Sequence, residues 1–274
     1  MKKFLLALTA LAAMTGSAAA ADLGARPYVK APAPAPVQSW TGFYIFGGGG
    51  GGLWSADSNI QSTGVAGGFG AFGPAGTAIT RDTRLGGSGW FGTVGAGYDW
   101  QFNGRWVAGV FADGQFGDIS GSVTDPAFWQ TEGRQKLRTS YTAGARLGYL
   151  VAPNVLSYVN AGYSGSEWSG TSQTFLGVGP GASTATQTTT GSFHRDGFFV
   201  GGGVENNLDI FGIAAPGWFM KTEYRSAYYD RISRPTTFAP GNNFGAPAVG
   251  LTGTAITFKP WVQTISTSLV YRFN

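Results

Sequence analysis

"LRTSYTAGARLGYLV", residues 137–151, alternates from end to end. Leu137, Thr139, Tyr141, Ala143, Ala145, Leu147, Tyr149 and Val151 fall on one side of an extended chain. Arg138, Ser140, Thr142, Gly144, Arg146 and Gly148 fall on the other. Successive side chains of a strand point to opposite faces, so a period of two predicts a β-strand with one apolar and one polar face. A soluble sandwich would bury the apolar face in a core about 10 Å thick. Tyr141 and Tyr149 stand near the two ends of that face instead, as in the aromatic girdles that border a lipid-facing band.

The same pattern recurs in residues 90–102. Trp90, Val94, Ala96, Tyr98, Trp100 and Phe102 share a face opposite Thr93, Gly95, Gly97, Asp99 and Gln101. Asn103-Gly104 then predicts a tight hairpin turn. In residues 105–116, Trp106, Ala108, Val110, Ala112 and Phe116 oppose Arg105, Asp113 and Gln115. Further strands are predicted at 156–166, where alternation is poor, and at 197–208, 218–228 and 258–273. In 218–228, Trp218, Met220, Thr222, Tyr224 and Tyr228 oppose Lys221, Glu223 and Arg225. Three charges on one strand face need partners or water, because unpaired burial is costly. Glu205 and Arg146, on the polar faces of their own strands, are candidate partners. Arg146, Glu205, Lys221, Glu223 and Arg225 therefore predict a polar interior held by a small ionic network.

One stretch resists this reading at first. "FYIFGGGGGGLW", residues 43–54, carries six consecutive glycines, Gly47 to Gly52. Such a run suits a flexible linker or a phosphate loop. A linker here would leave an odd strand count and an open edge, so the run is expected to be the first strand, paired with the last. That makes eight strands. Their connections alternate between short (103–104, 152–154, 209–217) and long (roughly 55–89, 117–136, 167–196, 229–257), the asymmetry of outer-membrane barrels. The predicted fold is all-β: an eight-stranded antiparallel up-and-down transmembrane β-barrel with a polar interior and both termini in the periplasm.

Composition agrees. Glycine supplies 46 of 274 residues and aromatics 15%, while charged residues reach 12%, against a usual charged share of ~25%. A disordered chain would show the reverse. The formal net charge of +4 includes Lys2 and Lys3, which lie in a segment expected to be removed. The sparse remaining Lys and Arg make no case for nucleic acid, despite a pI near 9.3. The absence of cysteine excludes disulfides, thiolate metal sites and cysteine nucleophiles. "MKKFLLALTALAAMTGSAAAADL" has the basic start, short apolar run and small residues of a signal peptide, residues 1–21, cleaved near Ala20 or Ala21. Residues 22–39 alternate Ala and Pro and read as a periplasmic polyproline spacer. Residues 40–274 form the barrel domain.

"SWTGFYIFGG" (39–48), "GYDWQFNGRWVAGVFAD" (97–113), "GARLGYL" (144–150), "GFFVGGGVE" (197–205), "KTEYR" (221–225) and "LVYRF" (269–273) together resemble the small outer-membrane β-barrel proteins of alphaproteobacteria. These are surface antigens of the opacity-protein and OmpA-barrel type, and the resemblance spans the mature chain. It implies a structural surface protein with four long external loops, contributing to envelope integrity. Outer-membrane lipid, lipopolysaccharide and the outer-membrane assembly machinery are its implied partners. A porin-like diffusion channel and a loop-borne binder of haem or a host ligand are the implied alternatives. Tyr271 and Phe273 match the C-terminal aromatic assembly signal of the family, displaced by one position because Asn274 follows.

Candidate chemistry is sparse. His194 is the one histidine. With Ser192 and Asp196 or Glu205 it supplies the residue types of a lipid hydrolase. Neighbours two apart on a strand share a face without a preset nucleophile–base geometry, so a rim histidine is the default. Haem ligation by His194 is the other specific reading. Gly201 to Gly203 precede no helix and no Lys-Ser/Thr, so a phosphate loop is rejected. The acids show no calcium-loop spacing. No catalytic, cofactor or metal residue is predicted, and the chain is expected not to be an enzyme.

Overall fold

The computed structural model describes residues 39–67, 72–125, 131–175, 185–243 and 250–273. The expected signal peptide, residues 22–38 of the spacer and Asn274 lie outside the described residues. Twelve strands run β1 Gly42–Ser58, β2 Ile60–Ser62, β3 Thr83–Phe102, β4 Trp106–Asp125, β5 Thr131–Ala152, β6 Val155–Trp168, β7 Thr171–Phe175, β8 Thr186–Thr190, β9 Phe193–Asn207, β10 Trp218–Tyr229, β11 Ile232–Phe238 and β12 Leu251–Phe273. A 3-10 turn, Leu208–Phe211, separates β9 from β10.

Eight of these, β1, β3, β4, β5, β6, β9, β10 and β12, pair antiparallel in chain order. β12 then pairs back onto β1, from Phe43↔Phe273 to Asp57↔Lys259. The ring is closed, so these strands leave no edge for pairing with another chain. Large apolar side chains such as Trp90, Val110, Leu147, Val159, Phe198 and Ile265 are exposed on the outside. Charged and hydroxyl side chains are buried inside, the inverse of a soluble protein and the arrangement of a membrane barrel.

The six glycines are paired β-structure on both sides. Gly47 to Gly52 face Leu269 to Thr264 of β12 and Val94 to Gly89 of β3. Of the three inward-facing glycines, Gly48 and Gly50 are sterically obligatory against backbone. A Cβ on Gly48 would lie 2.1 Å from the Thr267 carbonyl oxygen, and one on Gly50 would lie 2.0 Å from that of Ile265.

One end of the ring is joined by compact turns. Residues 103–105 connect β3 to β4, with Asn103 and Gly104 both left-handed at φ 47° and 72°. The hairpin predicted from Asn-Gly is present, with Arg105 as a third turn residue. Arg105 is exposed there and donates from Nη1 to the Tyr149 hydroxyl at 3.3 Å. Pro153 and Asn154 join β5 to β6.

At the other end, two expectations need correction. The segments read as long loops carry much strand, the first of them least. β4, β5 and β12 run to 20, 22 and 23 residues, whereas a tilted crossing needs only about 9–11. β2, β7, β8 and β11 add to them, through the pairings β5–β7, β7–β8, β8–β11, β11–β12 and β12–β2. Beyond the lipid band there is no apolar solvent to select an apolar face. The alternation that marks a spanning strand fades there, and Gly, Ser and Thr read as loop. The second correction is local. A register shift between Leu137 and Thr139 flips the faces of β5, whereas β4, shifted between Phe116 and Ile119, keeps Ile119 and Val123 on the same inward side as Asp113. Leu137 consequently points inward and is buried, while Arg138 is exposed, the reverse of the simple alternation.

Candidate functional site

The lumen is the most organised chemical environment in the chain. Among the described residues it holds four buried acids, Asp99, Asp113, Glu205 and Glu223, and four buried bases, Arg146, Lys221, Arg225 and Arg272. The spanning lumen is therefore neutral. Each charge sits on the inward face of its strand, where the pleat carries it inside.

Nearer the turn end, four of these charges form a closed ring. Arg146 donates from Nε to Asp99 Oδ1 at 2.9 Å and from Nη1 to Glu205 Oε2 at 3.0 Å. Arg272 donates from Nη2 to Asp99 Oδ2 at 2.8 Å and to Glu205 Oε1 at 2.7 Å. The four come from β3, β5, β9 and β12, every second wall of the eight-membered ring. Aromatic faces cover the cations: the Arg146 guanidinium lies 4.4 Å from the Tyr44 ring centroid, and that of Arg272 lies 4.6 Å from Trp40.

A second cluster lies further along. Arg225 donates from Nη1 to Asp113 Oδ1 at 2.9 Å and also pairs with Glu223. Tyr158 and Asn160 donate to Glu223 Oε2 at 2.7 and 2.9 Å, and Thr142 donates to Asp113 Oδ2 at 2.9 Å. Lys221 Nζ is 3.9 Å from Glu223 and 3.3 Å from the Phe46 ring centroid. Burying charges is costly unless their remaining donors and acceptors are satisfied as well. Here the pairing is nearly complete.

Apolar floors bound the charges on both sides. At the turn end Trp40 packs on Phe219 with ring centroids 5.0 Å apart, and its backbone carbonyl accepts from Arg272 Nη1 at 3.2 Å. At the long-hairpin end Trp54, Trp168, Phe193 and Phe258 interlock, with Trp168 and Phe258 centroids 5.2 Å apart. Trp54 Nε1 also reaches over β3 to donate to the Ile119 carbonyl of β4 at 3.2 Å. Trp40, Trp54 and Trp168 are each 1% exposed, so the bore is filled at both levels. Eight strands enclose a space just wide enough for side chains to fill.

Arg146, Glu205, Lys221, Glu223 and Arg225 are thus all placed in the lumen, though in two clusters rather than one. Sequence reasoning missed Asp99, Asp113 and Arg272 as members, and also the aromatics among the charges. A usable signal was present: Asp99 stands between Tyr98 and Trp100, and Arg272 between Tyr271 and Phe273. A charge between two outward-facing aromatics must point inward.

Of the hydrolase residue types, the structure brings His194 and Asp196 together but, among the described residues, joins neither Ser192 nor Glu205 to them. His194 contacts Asp196 Oδ1 through Nε2 at 2.9 Å and Glu167 Oε1 through Nδ1 at 3.0 Å. Both ring nitrogens are engaged by carboxylates, and the imidazole stacks on Tyr141 at 10°. The hydrogen bond to Asp196 raises the His194 pKa above its ordinary value. Glu205 is in the lumen, and no hydrogen bond joins Ser192 to His194 among the described residues. Tyr271 and Phe273 sit on β12 at the turn end; their rings are 4.9 Å apart, and Tyr271 also meets Trp218 at 5.2 Å.

Above the Trp54 floor, Arg234 of β11 is buried with no carboxylate partner among the described residues. It donates to the Gly191 carbonyl at 2.6 Å and to Gln135 Oε1 at 3.2 Å, and burial pushes its pKa down to about 10.

No protein-family model matches the chain. Over 232 residues it is 27% identical to the 31 kDa outer-membrane immunogenic protein of Brucella melitensis biotype 1, covering 82% of this chain and 85% of that protein. The Brucella suis biovar 1 protein of the same name matches equally. Among solved structures, the chain is similar to the outer membrane protein OprG from Pseudomonas aeruginosa (12% identity, 85% of this chain and 97% of that one, TM-score 0.47). It is also similar to Neisserial surface protein A (14% identity, 85% and 98%, TM-score 0.36). The chain is a β-barrel protein of the Gram-negative outer membrane.

Proposed function

We propose that this outer-membrane barrel is a closed structural surface protein, whose strand extensions stand above the cell surface and whose lumen conducts nothing of consequence. The filled lumen carries the proposal: a neutral, paired charge network between two aromatic floors leaves no ring of unpaired charge to draw ions. In this reading the compact turns and both termini face the periplasm, after cleavage near Ala20 or Ala21. The long hairpins face outward and serve as the antigenic surface, as the name of the Brucella relatives suggests. Tyr271 and Phe273 would be read by the assembly machinery.

Planar-bilayer recording of refolded protein tests it. The expected record is flat; stable, large single-channel steps would establish the porin reading instead. The chain is proposed to have no enzymatic activity, since the imidazole that a hydrolase would need as base is held by two carboxylates. The same contacts oppose haem ligation by His194. Titration with haem is expected to give the same spectrum for wild type and His194→Ala.

A further inference from the structure

The lipid-facing wall made by β3, β1 and β12 differs from the rest of the barrel. Rung by rung, its outward residues are Val94–Gly47–Leu269, Gly92–Gly49–Thr267, Trp90–Gly51–Ile265, Ser88–Leu53–Gln263, Gly86–Ser55–Trp261 and Arg84–Asp57–Lys259. Three successive rungs of β1 carry no side chain. At the last of them, Gly51, lies a groove of about 550 Å³ lined by Gly51, Leu53, Trp90, Tyr224 and Ile265.

Packing does not require this groove. A Cβ on Gly47 or Gly51 would meet nothing closer than 3.9 Å, and one on Gly49 nothing closer than 3.2 Å. Only the inward Gly48 and Gly50 are obligatory against backbone. Glycine also weakens a strand interior by about 0.5–1 kcal/mol relative to alanine. The fold therefore tolerates a cost at Gly47 and Gly51 that it could avoid.

Cations lie beyond the groove. Further along the same strands, toward the long-hairpin end, lies a second, separate hollow of about 110 Å³ lined by Ser55, Asp57, Arg84, Tyr228, Lys259 and Trp261. Asp57 Oδ1 accepts from Arg84 Nε at 3.4 Å, while no ion pair is formed by Lys259 among the described residues. The rung carries a net positive charge, about 20 Å along the strand from Gly51 at ~3.3 Å per residue. An apolar trough in the lipid band below an outward-facing cation fits an amphiphile with an acyl chain and an anionic head.

We propose that this wall is a binding site for the phosphorylated, multiply acylated glycolipid of the outer leaflet, the lipid A part of lipopolysaccharide. One acyl chain lies in the groove at Gly51, between Trp90 and Ile265, and a phosphate meets Lys259 and Arg84. The assignment rests on the outer-membrane reading with the long hairpins outward.

Native mass spectrometry of the refolded barrel, offered lipid A or phosphatidylglycerol, tests it. Wild type is expected to retain one lipid A in preference to phosphatidylglycerol. Gly51→Leu fills the trough, displaces about two methylenes' worth of chain contact, and should weaken retention about tenfold. Lys259→Glu should weaken lipid A retention as well, and it leaves the trough intact. Heat-modifiable gel migration reports folding of each variant. Folded variants that retain lipid A as wild type does overturn the site, as does equal retention of the two lipids by wild type. A wild type that does not fold into vesicles overturns the barrel reading and the site with it.

Discussion

Gly48 and its neighbour Gly47 show how closely sidedness is set. A methyl on Gly48 would run into the Thr267 carbonyl, whereas one on Gly47 meets open lipid space. Gly48→Ala should abolish or severely weaken folding into vesicles, while Gly47→Ala should be neutral or stabilising by about 0.4–1 kcal/mol in urea titrations. Glu205 is the second telling position, since it accepts from both Arg146 and Arg272. Removing one partner from a buried ionic group costs about 3–5 kcal/mol, so Glu205→Ala should shift the unfolding midpoint far more than Glu205→Gln, which keeps an acceptor. His194 lies one rung beyond Tyr141 toward the long hairpins, outside the spanning band. Its pKa is raised by the hydrogen bond to Asp196. The sign follows: the folded state binds the proton more tightly than the unfolded one. The contribution is complete below the unfolded value of about 6.5 and is lost as pH rises through the higher folded value. Its NMR titration should lie above 6.5, and Asp196→Asn should bring it down.

β5 carries most of the information about the wall and also the clearest misreading. From Tyr141 to Val151 its alternation reports the outside and inside faithfully, because lipid and lumen select opposite residue types at each step. Leu147→Arg, placing a charge in the lipid band, should cost about 2–4 kcal/mol near the midplane, measured by equilibrium unfolding from vesicles. Past the bulge at Leu137 and Thr139 the pattern inverts. A bulge adds one residue to one strand, and nothing in a single strand's sequence marks where its partner lacks one. The strand extensions were missed for a different reason. Their inward faces carry Gln135, Thr171, Gln173 and Thr188, buried and hydrogen-bonded in pairs, Thr171 to Gln135 and Thr188 to Gln173. With polar residues inside and water outside, no hydropathy contrast remains to betray a strand.

For the molecule as a whole, closure is what joins these parts. Pairing β12 to β1 brings Arg272 across from Asp99 and Glu205, and seats Trp40 under the ionic ring. The flat conductance expected in planar bilayers follows from that closure, because eight strands leave no room beside such side chains. Glu205→Ala provides a check on this logic: it should unbalance the lumen's charge and lower stability, yet leave the aromatic floors and the flat record unchanged.

Strand number, sidedness and the alternation of short and long connections were legible in the chain, because each depends on neighbours within a few residues and on the two solvents that select them. The eight-strand ring, the polar interior and five of the lumen charges came from that local logic. The partition of those charges into two clusters, the recruitment of Asp99, Asp113 and Arg272, and the groove at Gly51 depended on the folded ring. Those contacts join strands far apart in sequence, and the closing register between β12 and β1 sets which rungs face one another. No single strand encodes that register.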